Sequence, residues 1–447
     1  MVDSSVKLIF EKFKVGRLSS QVIQTGFGMV LFQGLNFITS VFLARQLGPV
    51  GQGRYQLLIS IVVFVTMFTK LGLGEGLSYL LPKYRQNQPE KIFSLIAYVL
   101  FFTTLVSFVV SLLLVWQADY LAARFFGMSG FSNDLSWTPI LIPITNLVMM
   151  GVAALRGLGR TDLRAYVYYL LVGSSTLVFL VFFSSRGLSL AEAFAARSLA
   201  FGLSGLATMI LIAILSKSAW QMPSWSDLKQ LHSFSSLLIF SGIFLYLVEQ
   251  PMVDLILVGR FESDATVGIY SVASRSTIAV VLVFNAFVIV VGPAMANFAA
   301  QKNFRDLFLL YKKVSNRMAL ITLLLGGGVL VFRREFLGLF GVEYQSGETY
   351  LVILLVGYMI VGFAGMNSPV LLATGHSNLE FSFTGIAFLL MLLLGVIFGY
   401  YWGANGVALA TSSAVIFLSL ARRWAISRYF DMKYFTHNGT YEYFFRK

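Results

Sequence analysis

Long apolar runs separated by short polar segments dominate the chain. A helix that crosses a bilayer needs about 20 largely apolar residues. Twelve runs meet this requirement, at residues 20–44, 55–81, 92–116, 137–155, 164–184, 190–215, 233–258, 268–292, 313–332, 349–369, 380–400 and 404–421. The pattern therefore predicts an all-α polytopic membrane protein with twelve transmembrane helices. An even number of spans places both termini on one side of the membrane.

Composition agrees with this pattern and narrows the class of protein. The chain is 57% hydrophobic and 12% charged, whereas soluble domains are about 45–50% apolar and about 25% charged. A water-soluble fold is excluded. Because the chain has no cysteine, it has no disulfide framework, thiolate metal site or cysteine nucleophile. The first apolar run lacks a small-residue cleavage site, so no cleaved signal peptide is expected.

The distribution of basic residues predicts the orientation. Of the 33 lysines and arginines, 23 fall in the tails and in the connections on the same side as the tails, and 7 fall on the opposite side. Cytoplasmic connections carry the excess of Lys and Arg. Both termini are therefore predicted to be cytoplasmic, in the cell membrane. This bias accounts for most of the net charge of +13, so nucleic acid is not an expected partner.

The chain repeats itself at an offset of about 215 residues. Gly53-Arg54-Tyr55 follows the first span and Gly268-Ile269-Tyr270 follows the seventh. Residues 155–163, after the fourth span, likewise correspond to residues 371–379 after the tenth. The matches predict two parallel six-helix lobes related by an axis along the membrane normal. This is a transporter architecture, with substrate handled between lobes that rock in alternating access.

The repeat also sets the predicted domain boundaries. They are a cytoplasmic N-tail at 1–19, an N-lobe at 20–215, an inter-lobe linker at 216–232, a C-lobe at 233–421 and a cytoplasmic C-tail at 422–447. The N-tail has the apolar spacing of a short interfacial helix, with a disordered basic tail as the alternative.

Ionisable side chains inside spans are costly and are candidates for function. The basic ones are Lys70, Arg197 and Arg275, which we interpret as cargo-binding residues of a central cavity. Arg275 has a second interpretation, as half of a structural pair with an acidic residue of the seventh span.

The acidic members of this group are Glu75, Glu249 and Asp254. All three are candidates for ion coupling, and the freed carbonyls beside Pro251 favour H⁺ or Na⁺ at Glu249. Asp254 has the alternative of binding the adjacent loop.

Polar residues of the first span have two interpretations. Gln21, Gln24, Gln33 and Asn36 either line the same cavity or hold helices together by hydrogen bonds.

Sites for catalysis or a cofactor are not expected. His232, His376 and His437 are far apart in sequence. No metal-binding spacing, phosphate-cradling loop or nucleophile elbow occurs in the chain. No filter-like segment supports a channel either.

Several motifs resemble those of a known transporter family. They are the stretch 42–55, the stretch 71–84 with Leu71-Gly72-Leu73-Gly74-Glu75-Gly76, the stretch 155–160, and Asp254-Leu255-Ile256-Leu257-Val258-Gly259-Arg260. They are similar to motifs of the polysaccharide exporters, the Wzx-type oligosaccharide flippases. These belong to the MOP superfamily, which also holds MATE drug exporters and lipid II flippases. The resemblance covers essentially the whole chain.

This resemblance implies a cargo and a pathway. The cargo would be an oligosaccharide on a polyprenyl diphosphate, turned from the inner to the outer leaflet for surface polysaccharide assembly. Membrane lipids and polysaccharide polymerase machinery are candidate partners. The first span lacks the acidic residue of one MATE group and the charged residues of lipid II flippases. A cation-coupled multidrug exporter, a lipid II-type flippase and a membrane glycosyltransferase stay as alternatives.

Overall fold

The computed structural model describes residues 17–185, 187–216, 223–236 and 252–429, and this part of the chain is helical without strands. The N-lobe contains six long helices: α1 Arg17–Thr69, α2 Leu73–Asn87, α3 Ile92–Trp116, α4 Thr138–Gly157, α5 Thr161–Ser184 and α6 Leu190–Ser216. Short helical turns connect them at Pro89–Lys91, Ala118–Tyr120, Leu121–Phe126 and Phe131–Leu135.

The rest of the chain begins with α7 at 225–236. The C-lobe helices follow: α8 Val253–Phe261, α9 Asp264–Ser276, α10 Ile278–Ala300, α11 Phe304–Val331, α12 Glu348–Ala364, α13 Asn367–Ala373 and α14 Ser377–Tyr429. Short turns at Arg333–Gly338 and Val342–Gly347 join α11 to α12.

Helices α1 and α14 each contain two spans. Each is 53 residues long, or roughly 80 Å at 1.5 Å per residue, against a hydrocarbon core of about 30 Å. Each has a break at a glycine with positive φ, Gly48 (64°) and Gly403 (55°), which other residues rarely adopt.

Nine described helices are long and apolar enough to cross a membrane. Because α1 and α14 each contain two spans, these nine helices correspond to eleven segments. The seventh predicted span falls largely on 237–251, outside the described residues. The total of twelve stays a prediction.

Three predicted continuous spans are in fact broken. The predicted span 55–81 is interrupted between Thr69 and Leu73, where Leu71 and Gly72 have φ of 50° and 68°. The predicted span 268–292 is interrupted at Thr277 and the predicted span 349–369 after Ala364. A continuous apolar run predicts that a segment lies in the membrane, but it does not predict that its helix is continuous. Where a helix breaks inside the protein, neighbouring polar groups can still bond the freed backbone groups.

Two helices extend beyond their predicted spans. The helix that contains the predicted span 313–332 begins at Phe304, and the last helix runs to Tyr429, eight residues into the predicted C-tail 422–447. Ala425 and Ile426 are fully buried there, so packing against the C-lobe extends the helix beyond its apolar run.

Buried apolar clusters show how the lobes meet. At one end a single cluster contains Leu57 and Phe194 from the N-lobe together with Tyr270 and Val407 from the C-lobe. At the other end each lobe has its own cluster, one around Leu77, Leu81 and Leu155 and the other around Met318, Val370 and Leu371. The lobes therefore pack together at a closed end and have separate cores at an open end.

Helix α7 belongs structurally to the N-lobe, although the sequence places it in the linker and the next span. Its Asp227 carboxylate accepts hydrogen bonds from Tyr84 Oη at 2.8 Å and from Ser224 N at 3.1 Å. It also pairs with Lys91 Nζ at 3.0 Å. Burial alone would raise the pKa of Asp227, but the hydrogen bonds from Ser224, Tyr84 and Lys91 outweigh it and hold the pKa at about 2.

Docking of α7 is expected to depend on pH through Asp227. Because the folded pKa lies below the ordinary value of 3.8, the stabilisation is fully present above about pH 4 and is lost as pH falls through about 2. Asp227→Asn at pH 7 should lower hydrogen-exchange protection of 225–236 by roughly tenfold. Lys229→Ala, at an exposed neighbouring position, is the control. An equal loss of hydrogen-exchange protection in the two variants would contradict the role of Asp227 in docking α7.

A buried ion pair joins the two halves of α14. Arg422 Nε donates to Glu380 Oε2 at 3.0 Å, Arg422 Nη2 also bonds Glu380 Oε1, and Ser368 Oγ donates to Glu380 Oε1 at 2.9 Å. Both charged side chains are less than one-tenth exposed. The pair fixes the second half of α14 against the first.

Removing one partner of this pair should be strongly destabilising. Glu380→Ala leaves a buried guanidinium uncompensated and should cost about 3–5 kcal/mol of unfolding free energy. Arg334→Ala removes a 70% exposed partner of Glu348 and should cost at most about 1 kcal/mol. Unfolding in detergent micelles measures the free energy of both variants. Similar losses of unfolding free energy would argue against a buried pair.

Candidate functional site

The two lobes touch most closely where α1 crosses α9 at the closed end. A Cβ added to Gly53 would lie 1.8 Å from the Asp264 carbonyl oxygen, and one added to Gly268 would lie 2.0 Å from the Pro49 carbonyl oxygen. The two contacts are equivalent, since Pro49 and Gly53 correspond to Asp264 and Gly268 at the repeat offset. The pseudo-two-fold axis therefore passes through this crossing, which only glycine permits at such a distance.

Polar contacts between the lobes surround the crossing. Arg54 Nε pairs across the lobes with Asp264 Oδ2 at 2.5 Å, and within the N-lobe Arg54 Nη2 donates to the Ser129 carbonyl at 2.5 Å. Arg45 Nε donates to the Leu339 carbonyl at 2.8 Å, and Tyr344 Oη donates to the Ala44 carbonyl at 3.1 Å. The closed end is thus held by an ion pair and by backbone carbonyl contacts.

A cavity of about 280 Å³ lies between the lobes next to this crossing. Both lobes contribute to its wall. The polar positions are Gln33, Asn36, Thr39, Ser40, Tyr55, Gln56, Ser60, Thr145, Tyr168, Thr176, Arg197, Ser274, Arg275, Thr277, Asn285 and Tyr358. Among the described residues, the only charged side chains of the wall are two arginines, and no carboxylate lines it.

Arg275 enters the cavity from the C-lobe at a helix break. It occupies the last turn of α9, before the interruption at Thr277, so the negative end of the helix dipole favours its charge. The hydroxyls of Ser276 and Thr277 donate to the carbonyls of Val272 and Ser274 at 2.8 and 2.7 Å. Such bonds compete with the helix and favour its end here. Arg275 Nη2 donates to Gln56 Oε1 of the N-lobe at 2.6 Å.

Arg197 faces the same cavity from α6 of the N-lobe. Its guanidinium lies 4.8 Å from the centre of the Phe201 ring, a cation–π arrangement. Its buried Nε has no hydrogen-bond partner among the described residues. Arg197 also repels Arg275 electrostatically. Two guanidiniums with donors to spare, facing one enclosed space, form an anion-binding arrangement.

Lys70 and Glu75 lie outside the cavity wall. Lys70 is in the break between α1 and α2, and Glu75 is in the first turn of α2. Glu75 lies in electrostatic range of Arg156. Lys70 is seven residues beyond Val63 of the wall, in the direction of the open end. The structure therefore brings Arg197 and Arg275 together and leaves Lys70 apart from them.

Asp254 is buried inside the C-lobe, at 2% exposure. Its carboxylate accepts hydrogen bonds from Leu255 N at 2.8 Å and from Tyr270 Oη at 3.2 Å. No ion pair joins Asp254 to Arg275 in the described part of the chain. Glu249, the other acidic candidate of that span, lies outside the described residues.

One residue of the site was missed in the sequence. Gln56 binds Arg275 across the lobes, and its signal was a polar series at Gln52, Gln56 and Ser60, four residues apart in an apolar span. Gln33 and Asn36 of the first span do line the cavity. The side chains of Gln21 and Gln24 are outside the described set.

Two solved structures have a similar fold. A multidrug resistance MATE family transporter of the MOP superfamily, in an inward-facing conformation, matches with a TM-score of 0.74, 17% identity, and coverage of 91% of this chain and 96% of that one. The lipid II flippase MurJ, in an inward closed conformation, matches with a TM-score of 0.71, 16% identity, and coverage of 91% and 87%. The chain shares the fold of these MOP superfamily membrane transporters.

The chain belongs to the family described as "Polysaccharide biosynthesis protein", whose pattern matches residues 20–299. It is also 24% identical over 247 residues to the probable low-salt glycan biosynthesis flippase Agl15 of Haloferax volcanii. That match covers 53% of this chain and spans about half, 48%, of the length of the relative.

Proposed function

We propose that the protein is a flippase for lipid-linked oligosaccharides on a polyprenyl diphosphate. The observation that carries this proposal is the cavity between the lobes, in which Arg197 and Arg275 are the only charged wall residues described. A diphosphate offers several oxygens to guanidinium donors, and such charge-assisted bonds are strongest away from water. The relative's name, a probable flippase of glycan biosynthesis, is consistent with a glycan cargo.

Alternating access is the proposed mechanism of transfer. With the predicted orientation, the open end faces the cytoplasm and the crossing of Gly53 and Gly268 closes the outer side. The lipid diphosphate enters between the separate lobe cores, binds the arginines and leaves when the crossing opens. Moving two negative charges outward, down an inside-negative potential, gains roughly 4–5 kcal/mol per 100 mV.

Ion coupling would add to this driving force. Asp254 is the described candidate for binding H⁺ or Na⁺, because its carboxylate is buried with only neutral hydrogen-bond donors around it. Glu249 is the second candidate, and polysaccharide polymerase machinery is a proposed partner.

A cation-coupled drug exporter is the competing function. The two functions require cavity walls of opposite charge. A cationic drug requires acidic or aromatic groups, whereas two arginines repel it. The test is expression in cells that lack their own oligosaccharide flippase. Restored surface glycan without added drug resistance supports the flippase, and drug resistance without glycan export would overturn it.

A further inference from the structure

The contact between Gln56 and Arg275 joins the binding site to the closed end. Gln56 is on the N-lobe, three residues after Gly53, so it lies about 4.5 Å further along the same helix. Arg275 is on the C-lobe helix that crosses at Gly268. The 2.6 Å bond from Arg275 Nη2 to Gln56 Oε1 is therefore a bridge between the lobes inside the cavity wall.

This bridge uses a neutral acceptor for a charged donor. A charged phosphate oxygen adds a direct Coulomb attraction to the guanidinium that a neutral amide oxygen does not supply. Arg197, across the cavity, repels Arg275 and offers it no acceptor. A phosphate group that binds Arg275 through a bidentate fork including Nη2 thus competes with Gln56 for that nitrogen.

The crossing itself carries an unsatisfied group. Gln52, one turn before Gln56, is fully buried, and neither its amide oxygen nor its amide nitrogen has a partner among the described residues. A buried amide without partners opposes the packed arrangement that encloses it. The buried Gln52 amide therefore offsets part of the stabilisation that the polar contacts between the lobes give, so losing one of those contacts matters to the closed end.

We propose that Gln56 is a positioning residue that holds Arg275 in place while the site is empty, and that phosphate oxygens displace Gln56 and so break the bridge that helps to hold the lobes closed. This inference rests on the proposed function and adds to it the link between cargo binding and opening. Arg275 is then the point at which binding is converted into lobe movement.

Two substitutions of Gln56 test the displacement in opposite directions. Gln56→Leu removes the competing acceptor and should tighten binding of geranylgeranyl diphosphate by about tenfold. Gln56→Glu supplies a charged competitor and should weaken binding by at least about tenfold. Isothermal titration of the purified, detergent-solubilised protein measures both. Gln301→Leu, in the connection after α10, is the control. If Gln56 has a merely structural role, both variants should bind the diphosphate more weakly than the wild type, and that result would overturn the proposal.

Distances between the lobes test the second half of the proposal. Because the chain has no cysteine, spin labels can be placed at Val50→Cys and Val342→Cys, two exposed positions of the closed end on different lobes. Without ligand, Gln56→Leu should already lengthen the label separation, and geranylgeranyl diphosphate should lengthen it in the wild type. Unchanged distances in both cases would overturn the link.

The two proposals fail differently. If the wild type binds no diphosphate, the proposed function is wrong, and the inference fails with it. If the wild type binds the diphosphate and both Gln56 variants bind it equally well, only the inference is wrong.

Discussion

Replacing both cavity arginines, Arg197→Gln with Arg275→Gln, should lower translocation of a lipid-linked oligosaccharide by more than about a hundredfold. Each guanidinium supplies hydrogen bonds to a charged group, which contribute about 1.5–3 kcal/mol, and each 1.4 kcal/mol corresponds to tenfold. The two side chains face one cavity, so their effects are not expected to be independent. Translocation by purified protein in liposomes is the measurement.

Matched variants separate charge from geometry. Arg275→Lys keeps the charge but loses the planar fork that binds phosphate oxygens in pairs, so it should retain intermediate activity. Arg334→Gln removes a charge from a 70% exposed position and should leave translocation within about twofold of the wild type. Lys70→Gln should lower translocation less than Arg275→Lys or the double variant does, because Lys70 is not on the cavity wall. A normal rate in the double variant would contradict the role of the arginines.

Gly53→Ala should prevent the lobes from closing. The new Cβ would lie 1.8 Å from the Asp264 carbonyl oxygen. Because this oxygen belongs to the backbone, no side-chain rotation can relieve the clash. The helices must separate by more than 1 Å or so, which favours the conformation open at this end. Transport should fall by more than about tenfold, and labels at positions 50 and 342 should report longer distances.

The symmetric partner and a helical glycine supply the controls for this prediction. Gly268→Ala should reproduce the effect, because its Cβ would lie 2.0 Å from the Pro49 carbonyl oxygen. Gly202→Ala introduces a methyl group with nothing within 4 Å and should leave both distance and transport unchanged. Closed-end distances like those of the wild type in both crossing variants would contradict the role of the crossing.

Hydropathy predicted the spans well where a helix is continuous. The predicted spans 92–116 and 190–215 correspond to Ile92–Trp116 and Leu190–Ser216. It could not predict the breaks at 70–72 and 277, because those depend on local φ values and on hydroxyls that bond back to the helix. Breaks of this kind leave the apolar run intact, so a window of residues averages over them.

The candidate site was predicted in part, for a physical reason. Charge inside a span is costly wherever the span lies, so Arg197 and Arg275 could be selected without a structure. Whether they share a cavity depends on lobe packing, which a single sequence does not encode locally. Gln56 was overlooked because a neutral polar residue carries a smaller penalty in a membrane helix. Its importance comes only from facing Arg275 across the lobes.

A structure of the protein with a bound polyprenyl diphosphate would show whether the two arginines hold the anionic cargo. We expect phosphate density between the lobes, within about 3 Å of the guanidiniums of Arg197 and Arg275, with the bond from Arg275 to Gln56 replaced. Geranylgeranyl diphosphate, added to the purified protein before cryo-electron microscopy, is a suitable probe. Phosphate density on the membrane-facing surface with an empty cavity, or a cationic drug held in its place, would contradict it.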